Sequence, residues 1–349
     1  MRAAYREIEL YDPRRAPCAI DLSDNTNLFG VAPSLRPALA QLGNDTITRY
    51  PSVFASALKR ALAELHGVEP ENITTGCGSD DIIDSAIRAF CEPGDVVAYP
   101  DPTFGIVSTF ARMNAARPVP VPSGPDFAVD ASALVQLGAP LTYLCSPNNP
   151  SGTVTASDVI AGLDARRAGV LLLDEAYAVF GDADYAAFAV QSARTVSIRT
   201  LSKAWGLAGL RIGYALGPAP LILEIEKSRG PYKVNAIGEA VALAALAADQ
   251  SWVADVVAQT KQNRARLAGL LAEQGIRYWP SAANFILLQV PAGWTAQELA
   301  SALRARGVAV RPFAGLRGAG ECIRVSVGPW ELMAAFLTTL NEVLSEQRI

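Results

Sequence analysis

Three stretches carry residue types that could do chemistry together. The first is TLSKAWGLAGLRIG, Thr200 to Gly213, where Lys203 sits among small residues and Arg211 follows eight positions later. A lysine amine stripped of its proton by desolvation or by nearby cations is a nucleophile that forms a Schiff base with a carbonyl. Taken alone, the pair also reads as a solvated lysine and a salt-bridging arginine. The second stretch, Gly76-Cys77-Gly78-Ser79-Asp80, opens a predicted helix. Free backbone N–H groups and the helix dipole suit a phosphate there, although glycines at a helix start also serve as plain turns. The third is Asp174, which closes the apolar run VLLL. A buried carboxylate needs a partner, and a salt bridge or a helix cap would serve as well as a ligand.

One small molecule asks for all three groups. Pyridoxal 5′-phosphate offers an aldehyde to a lysine and a phosphate to a helix start. Its ring nitrogen acts as an electron sink when an acidic group keeps it protonated.

The elements that must hold these residues follow a repeating order. From residue 72 to about 217, strand, loop and helix alternate, and the strands ITT, DVVAYP, LTYLCS, VLLLDEAY, TVSIRTLS and RIGYAL are continuously apolar. Such runs fit strands buried on both faces, and the alternation predicts an α/β fold whose mostly parallel sheet is flanked by helices. Ligands in these sheets bind at the carboxyl ends of the strands. There the chain places GCGSD, SPNNPSG, DEAY and Ser202-Lys203. Helices are predicted over Phe54–Leu65, Ile82–Phe90, Thr103–Met113, Ile222–Lys227, Ala236–Ala248, Trp252–Gln274, Thr295–Arg306 and Trp330–Gln347. The pattern divides the chain into an N-terminal arm (1–32), a large domain (33–249) and a smaller α+β domain (250–349). The arm's LSDNTNLFG loop is either surface punctuation or a segment that enters a site.

Composition narrows the function classes. Half of the 349 residues are apolar, 18% are charged and the net charge is −4. No basic stripe marks a nucleic-acid footprint, and no apolar run is long enough to span a bilayer. The charged N-terminus lacks the apolar core of a signal peptide. Five dispersed cysteines without a CxxC fit reduced thiols, so a cytoplasmic location is expected. The single histidine, His66, has no ligand cluster around it and sits where it could cap a helix, so no metal is expected.

The ordered set LSDNTN, SPNNPSG, LDEAY, TLSKAWGLAGLRIG and CIRVSVG closely resembles the fold-type I pyridoxal-phosphate aminotransferases, and within them the histidinol-phosphate aminotransferase family. The resemblance covers nearly the whole chain and implies roles position by position. Lys203 would carry the cofactor and shuttle the substrate proton. Asp174 would bind the pyridine nitrogen, and Asn149 and Tyr177 the ring oxygen. The amides of Ser79 and Asp80, with Thr200, Ser202 and Arg211, would hold the phosphate, and Phe104 would stack on the ring. Tyr50 would reach the cofactor phosphate of a neighbouring subunit, making the enzyme a homodimer with shared sites. Arg324, Arg311 and Asn25 would bind the substrate.

The implied reaction moves an amino group from L-histidinol phosphate to 2-oxoglutarate in a ping-pong cycle, giving imidazole-acetol phosphate and L-glutamate. Four residues, Thr26, Leu28, Phe104 and Lys233, depart from the family pattern. Asn25-Thr26-Asn27-Leu28 stands where the family reads NEN and proline, Phe104 where it often has tyrosine, and Lys233 where asparagine is common. An aromatic or other amino-acid aminotransferase, a threonine-phosphate decarboxylase-like enzyme and a cofactor-binding regulatory module are the alternatives. The intact lysine and the absence of room for a DNA-binding module weigh against the last.

Overall fold

The computed structural model describes residues 3–10, 17–166 and 169–346. Parts of the expected arm (1–2 and 11–16) and Gln347 of the expected last helix lie outside the described residues.

A short strand, β1 (Ile20–Asp21), precedes a seven-stranded sheet. That sheet is built from β2 (Ile73–Cys77), β3 (Val96–Asp101), β4 (Arg117–Pro122), β5 (Leu141–Cys145), β6 (Val170–Asp174), β7 (Thr195–Thr200) and β8 (Ile212–Leu216). The spatial order is β2-β8-β7-β6-β5-β3-β4. Only β8 runs against its neighbours. Strands β5, β6 and β8 are buried at every position, as their unbroken apolar runs require. β4 (RPVPVP) is absent from the apolar pattern because its prolines read as loop. Proline lacks the N–H that an inner ladder needs, so β4 takes the sheet edge.

Helices cover both faces of this sheet. On one face, Ile82, Ile83, Ala86 and Ile87 of helix Gly78–Phe90 pack on Tyr143, Cys145, Leu172 and Ile198. On the other, Leu171, Leu173 and Leu144 meet Leu134, Ile160 and Leu163. Each such buried side chain contributes roughly 1.5–3 kcal/mol of transfer free energy. Successive strand residues point to opposite faces, so Leu172 and Asp174 share the first face.

A second sheet contains β9 (Phe285–Gln289), β11 (Arg311–Leu316) and β12 (Gly320–Ser326) in the antiparallel order β11-β12-β9. The two-residue strand β10 (Val308–Ala309) pairs in parallel with β1, tying the start of the chain to its last third. Helices Ala296–Ala305 and Trp330–Glu346 pack on this sheet through Leu299, Leu303, Met333 and Phe336. A reciprocal capping box between Thr295 and Glu298 starts the first of them. The long helix Gln250–Glu273 joins two cores: Val253 lies in a cluster with Ile73, Leu201 and Leu216 beside the large sheet, and Leu267 and Leu271 lie in the second core with Leu299 and Phe336.

Three helices start earlier than expected, at Gly78, Ala219 and Gln250, and two start two or three residues later. Helix Ser56–His66 excludes Phe54, because Ala55 is left-handed (φ +46°) and breaks the helical path. Helix Ile106–Met113 excludes Thr103 and Phe104, because the Thr103 hydroxyl is tied to Asn148 Oδ1 at 2.7 Å. His66 ends its helix before left-handed Gly67, and its Nε2 lies 3.0 Å from the Tyr214 hydroxyl. No single helix among the described residues is long and apolar enough to cross a membrane.

Candidate active site

The carboxyl ends of β2, β5, β6 and β7 converge as the strand order dictates, and the N-terminal loop closes on them. Lys203 follows β7 and is half-buried. Its Nζ donates to the Asp24 carbonyl at 3.5 Å and lies 5.4 Å from the centre of the Tyr177 ring. Burial lowers its pKa to about 8; Arg324 and Arg211 add to the fall, while Asp80 and Asp24 oppose it. Lys203 therefore reaches its free-amine form closer to neutral pH than a solvent-exposed lysine does.

Asp174 ends β6 at 2% exposure. Its Oδ2 accepts the Tyr143 hydroxyl at 2.7 Å and its Oδ1 the Ala176 N–H at 3.0 Å. Burial raises its pKa to about 6, opposed by those two donors. Each oxygen keeps a lone pair for a further donor.

The turn after β2 forms an anion cradle. Gly78 has φ +81°, and a Cβ there would overlap the Arg211 guanidinium. A Cβ at Gly213 would overlap the backbone of Gly78 and Ser79, so only glycine lets β8 lie against this turn. Ser79 and Asp80 occupy the first turn of helix Gly78–Phe90, whose leading N–H groups have no helical acceptor. Arg211, in the left-handed region (φ +57°), places Nη2 3.3 Å from Asp80 Oδ2. The Thr200 and Ser202 hydroxyls stand 2.9 Å apart beside it.

The opposite pole belongs to the second sheet and the N-terminal loop. Arg324 on β12 is buried; its Nη1 donates to Asn149 Oδ1 and its Nη2 to the Ser23 carbonyl at 2.8 Å. Its guanidinium lies 5.2 and 5.6 Å from the ring centres of Phe285 and Phe313. Arg311 stands directly opposite Arg324 in the β11–β12 register. Asn25 is 1% exposed and left-handed (φ +56°), and its Nδ2 donates to the Tyr177 hydroxyl at 3.1 Å. Ser326 and Asn284 fix its backbone. Asn27 reaches the Ala204 carbonyl beside Lys203 at 2.8 Å. The LSDNTNLFG loop thus enters the site.

The arrangement offers an amine, a buried carboxylate, an anion cradle and a pair of arginines. That suits a reaction at a carbonyl or amine on a substrate that also carries an anion. Residues 18–340 match the family described as aminotransferase class I and II.

The chain belongs to the class I and II aminotransferases.

This aminotransferase is 39% identical to the histidinol-phosphate aminotransferase of Roseiflexus castenholzii over 334 residues, 93% of its own chain and 89% of the relative. It is 33% identical to histidinol-phosphate aminotransferase 1 of a Nostoc species, with 96% of its own chain and 94% of the relative covered. The solved histidinol-phosphate aminotransferase of Sinorhizobium meliloti, in complex with pyridoxal-5′-phosphate, superposes with a TM-score of 0.89 at 28% identity, covering 99% of this chain and 98% of that one.

Tyr50 and Phe104, the two expected aromatic contacts, differ in burial. Tyr50 is 84% exposed, and its ring stacks on Tyr232 with centroids 4.9 Å apart. Phe104 is half-buried and packs at the margin of the core that holds Tyr143 and Cys145. Other residues were not singled out from the sequence. Tyr143 could have been ranked only by knowing that β5 lies beside β6. Lys233, noted only as a departure, places Nζ 2.7 Å from Asp81 Oδ1, and Asp81 Oδ2 accepts the Cys77 N–H at 3.0 Å. That lysine braces the anion cradle from behind. Leu28, another departure, packs against the second core.

Proposed function

We propose that this aminotransferase uses pyridoxal 5′-phosphate to exchange an amino group between L-histidinol phosphate and 2-oxoglutarate. The chemistry of the donor set fits the cofactor. Lys203 supplies the amine, and Asp174 supplies a carboxylate with capacity left for the ring N–H. Tyr177 and Asn149 supply polar groups for the ring oxygen. Ser79, Asp80, Thr200, Ser202 and Arg211 form the phosphate cradle, and Phe104 flanks the ring. Bound there, the cofactor supplies a sink for the electron pair left when the substrate α-proton departs. Lys203 Nζ takes that proton as the free amine and returns it to the neighbouring carbon. Asp174 holds the ring nitrogen's proton, and the Asn25–Tyr177 bond fixes the hydroxyl.

The arginine pair carries the substrate assignment. Like charges directly opposite on paired strands repel, and no carboxylate among the described residues pairs with Arg311. A phosphate dianion held between Arg311 and Arg324 turns that repulsion into two charge-assisted contacts, whereas one arginine suffices for a carboxylate. Asn25 holds the loop that shapes this pole. The 33% and 39% identity to two histidinol-phosphate aminotransferases favours transamination of such a phosphorylated amine over its decarboxylation.

The reading includes a homodimer. Tyr50, Ile47 (77% exposed), Phe54 and Tyr232 leave aromatic and aliphatic surface in solvent. A second copy would cover it and receive Tyr50 at its own phosphate cradle. On this reading residues 33–249 form the cofactor domain, 250–349 the smaller domain, and 1–32 an arm that packs with the smaller domain or the neighbouring subunit.

Arg311→Ala tests the substrate assignment. Loss of a charged hydrogen bond costs about 1.5–3 kcal/mol, so kcat/KM for histidinol phosphate falls by about ten- to a hundred-fold. The glutamate half-reaction keeps most of its rate. Equal loss on both substrates in stopped-flow assays assigns Arg311 a structural role instead.

A further inference from the structure

The Tyr143 hydroxyl has no part in the scheme above, yet it is fully buried and donates to Asp174 Oδ2 at 2.7 Å. Its position follows from strand register. β5 and β6 pair in parallel, with Tyr143 opposite Leu172 and Cys145 opposite Asp174. Tyr143 and Asp174 therefore share a sheet face, one pleat apart, and the phenol reaches up to the carboxylate. The Ala176 N–H holds the other oxygen at 3.0 Å. We propose that Tyr143 is a positioning residue that fixes the Asp174 carboxylate in the orientation and the anionic form that the cofactor ring nitrogen needs. The proposal rests on the reading of Asp174 as that nitrogen's partner.

The electrostatics of the pocket supply the reason. Burial drives Asp174 toward its neutral acid, and Asp80, facing it from helix Gly78–Phe90, pushes the same way. Tyr143, the Ala176 amide and Lys203 oppose them. Cys145, beside Asp174 on β5, keeps its thiol proton because burial raises its pKa well above the usual value. Burial and the Asp174 charge likewise hold Tyr143 well above the usual phenol range. Tyr143 therefore remains a donor at every working pH. Without it Asp174 Oδ2 would lose its one donor among the described residues, and the proton shared with the ring nitrogen would move toward the carboxylate.

Tyr143→Phe removes that hydroxyl and keeps the ring. In apoprotein labelled with 13C-aspartate, the Asp174 signal is identified by its absence from Asp174→Asn. Its titration midpoint, near 6 in the wild type, rises by roughly one unit or more in Tyr143→Phe. Substituting 3-fluorotyrosine, a stronger donor, moves it the other way and serves if the phenylalanine variant fails to fold. In holoenzyme carrying 15N in the cofactor ring, Tyr143→Phe shifts the nitrogen signal toward the unprotonated form. It also lowers kcat by about tenfold with little change in KM. Added to Asp174→Asn, it lowers kcat no further. An unchanged Asp174 midpoint in both variants, or additive losses in the double variant, overturns the proposal. A wild-type protein that binds no cofactor while Asp174 still responds to Tyr143 overturns the cofactor reading instead.

Discussion

Lys203→Ala protein loses transamination by roughly 10⁴-fold or more and shows no visible absorbance from lysine-linked cofactor. The size of the effect follows from the two tasks that meet on one atom. Lys203 Nζ is the amine at the mouth of β7, made less basic by burial and by Arg324. On the proposed reading it both attaches the cofactor and moves the substrate proton, and alanine can do neither. The neighbours cannot substitute. Arg211 offers N–H donors and no amine that could bond a carbonyl, and Tyr177, whose ring centre lies 5.4 Å from Nζ, holds its proton because burial raises its pKa. Absorbance spectra and a coupled glutamate assay check both parts, and wild-type turnover by the variant would remove Lys203 from the chemistry.

Asp174→Asn has the second largest effect. The amide keeps the shape of the carboxylate and can still meet the ring nitrogen, so the cofactor binds. It carries no charge to hold the ring proton, and proton abstraction slows by on the order of 10²–10³-fold. A pH signature accompanies the loss. The wild-type carboxyl titrates near 6, so cofactor affinity weakens as the pH falls through that value and Asp174 becomes neutral. Asparagine has nothing to titrate, so this acid limb is absent from the variant. Titration of the apoproteins with cofactor from pH 5 to 8, followed by fluorescence, separates the two profiles. An unchanged acid limb in Asp174→Asn would assign it to another group.

The residues that end strands were legible because a strand's apolar run and its polar terminus are both local. VLLL followed by Asp174, and TVSIRTL followed by Ser202 and Lys203, announce their place without a neighbour. Contacts between strands are not local. That Tyr143 lies under Asp174 depends on β5 and β6 being adjacent, and no run of letters states the order β2-β8-β7-β6-β5-β3-β4. Arg311 and Arg324 were recognisable as a pair by resemblance, but their face-to-face register needed the β11–β12 ladder. The N-terminal loop read equally as surface or site. Asn25 settles it through partners in three distant segments, at Tyr177, Asn284 and Ser326. The starts of helices Ser56–His66 and Ile106–Met113 were misread because apolar spacing continues through Phe54 and Phe104. A left-handed alanine in one case and a threonine–asparagine bond in the other override it.

The most direct test is a half-reaction titration of the cofactor-loaded protein with L-histidinol phosphate, glutamate and a panel of other amino acids, read by absorbance. Histidinol phosphate should convert the lysine-linked band fully to the amine form, at lower concentration than any unphosphorylated aromatic amino acid. Addition of 2-oxoglutarate should restore the band. A protein that responds to aromatic amino acids and leaves histidinol phosphate untouched, or that releases CO2 from a phosphorylated amino acid without forming 2-oxoglutarate's partner glutamate, would contradict the account.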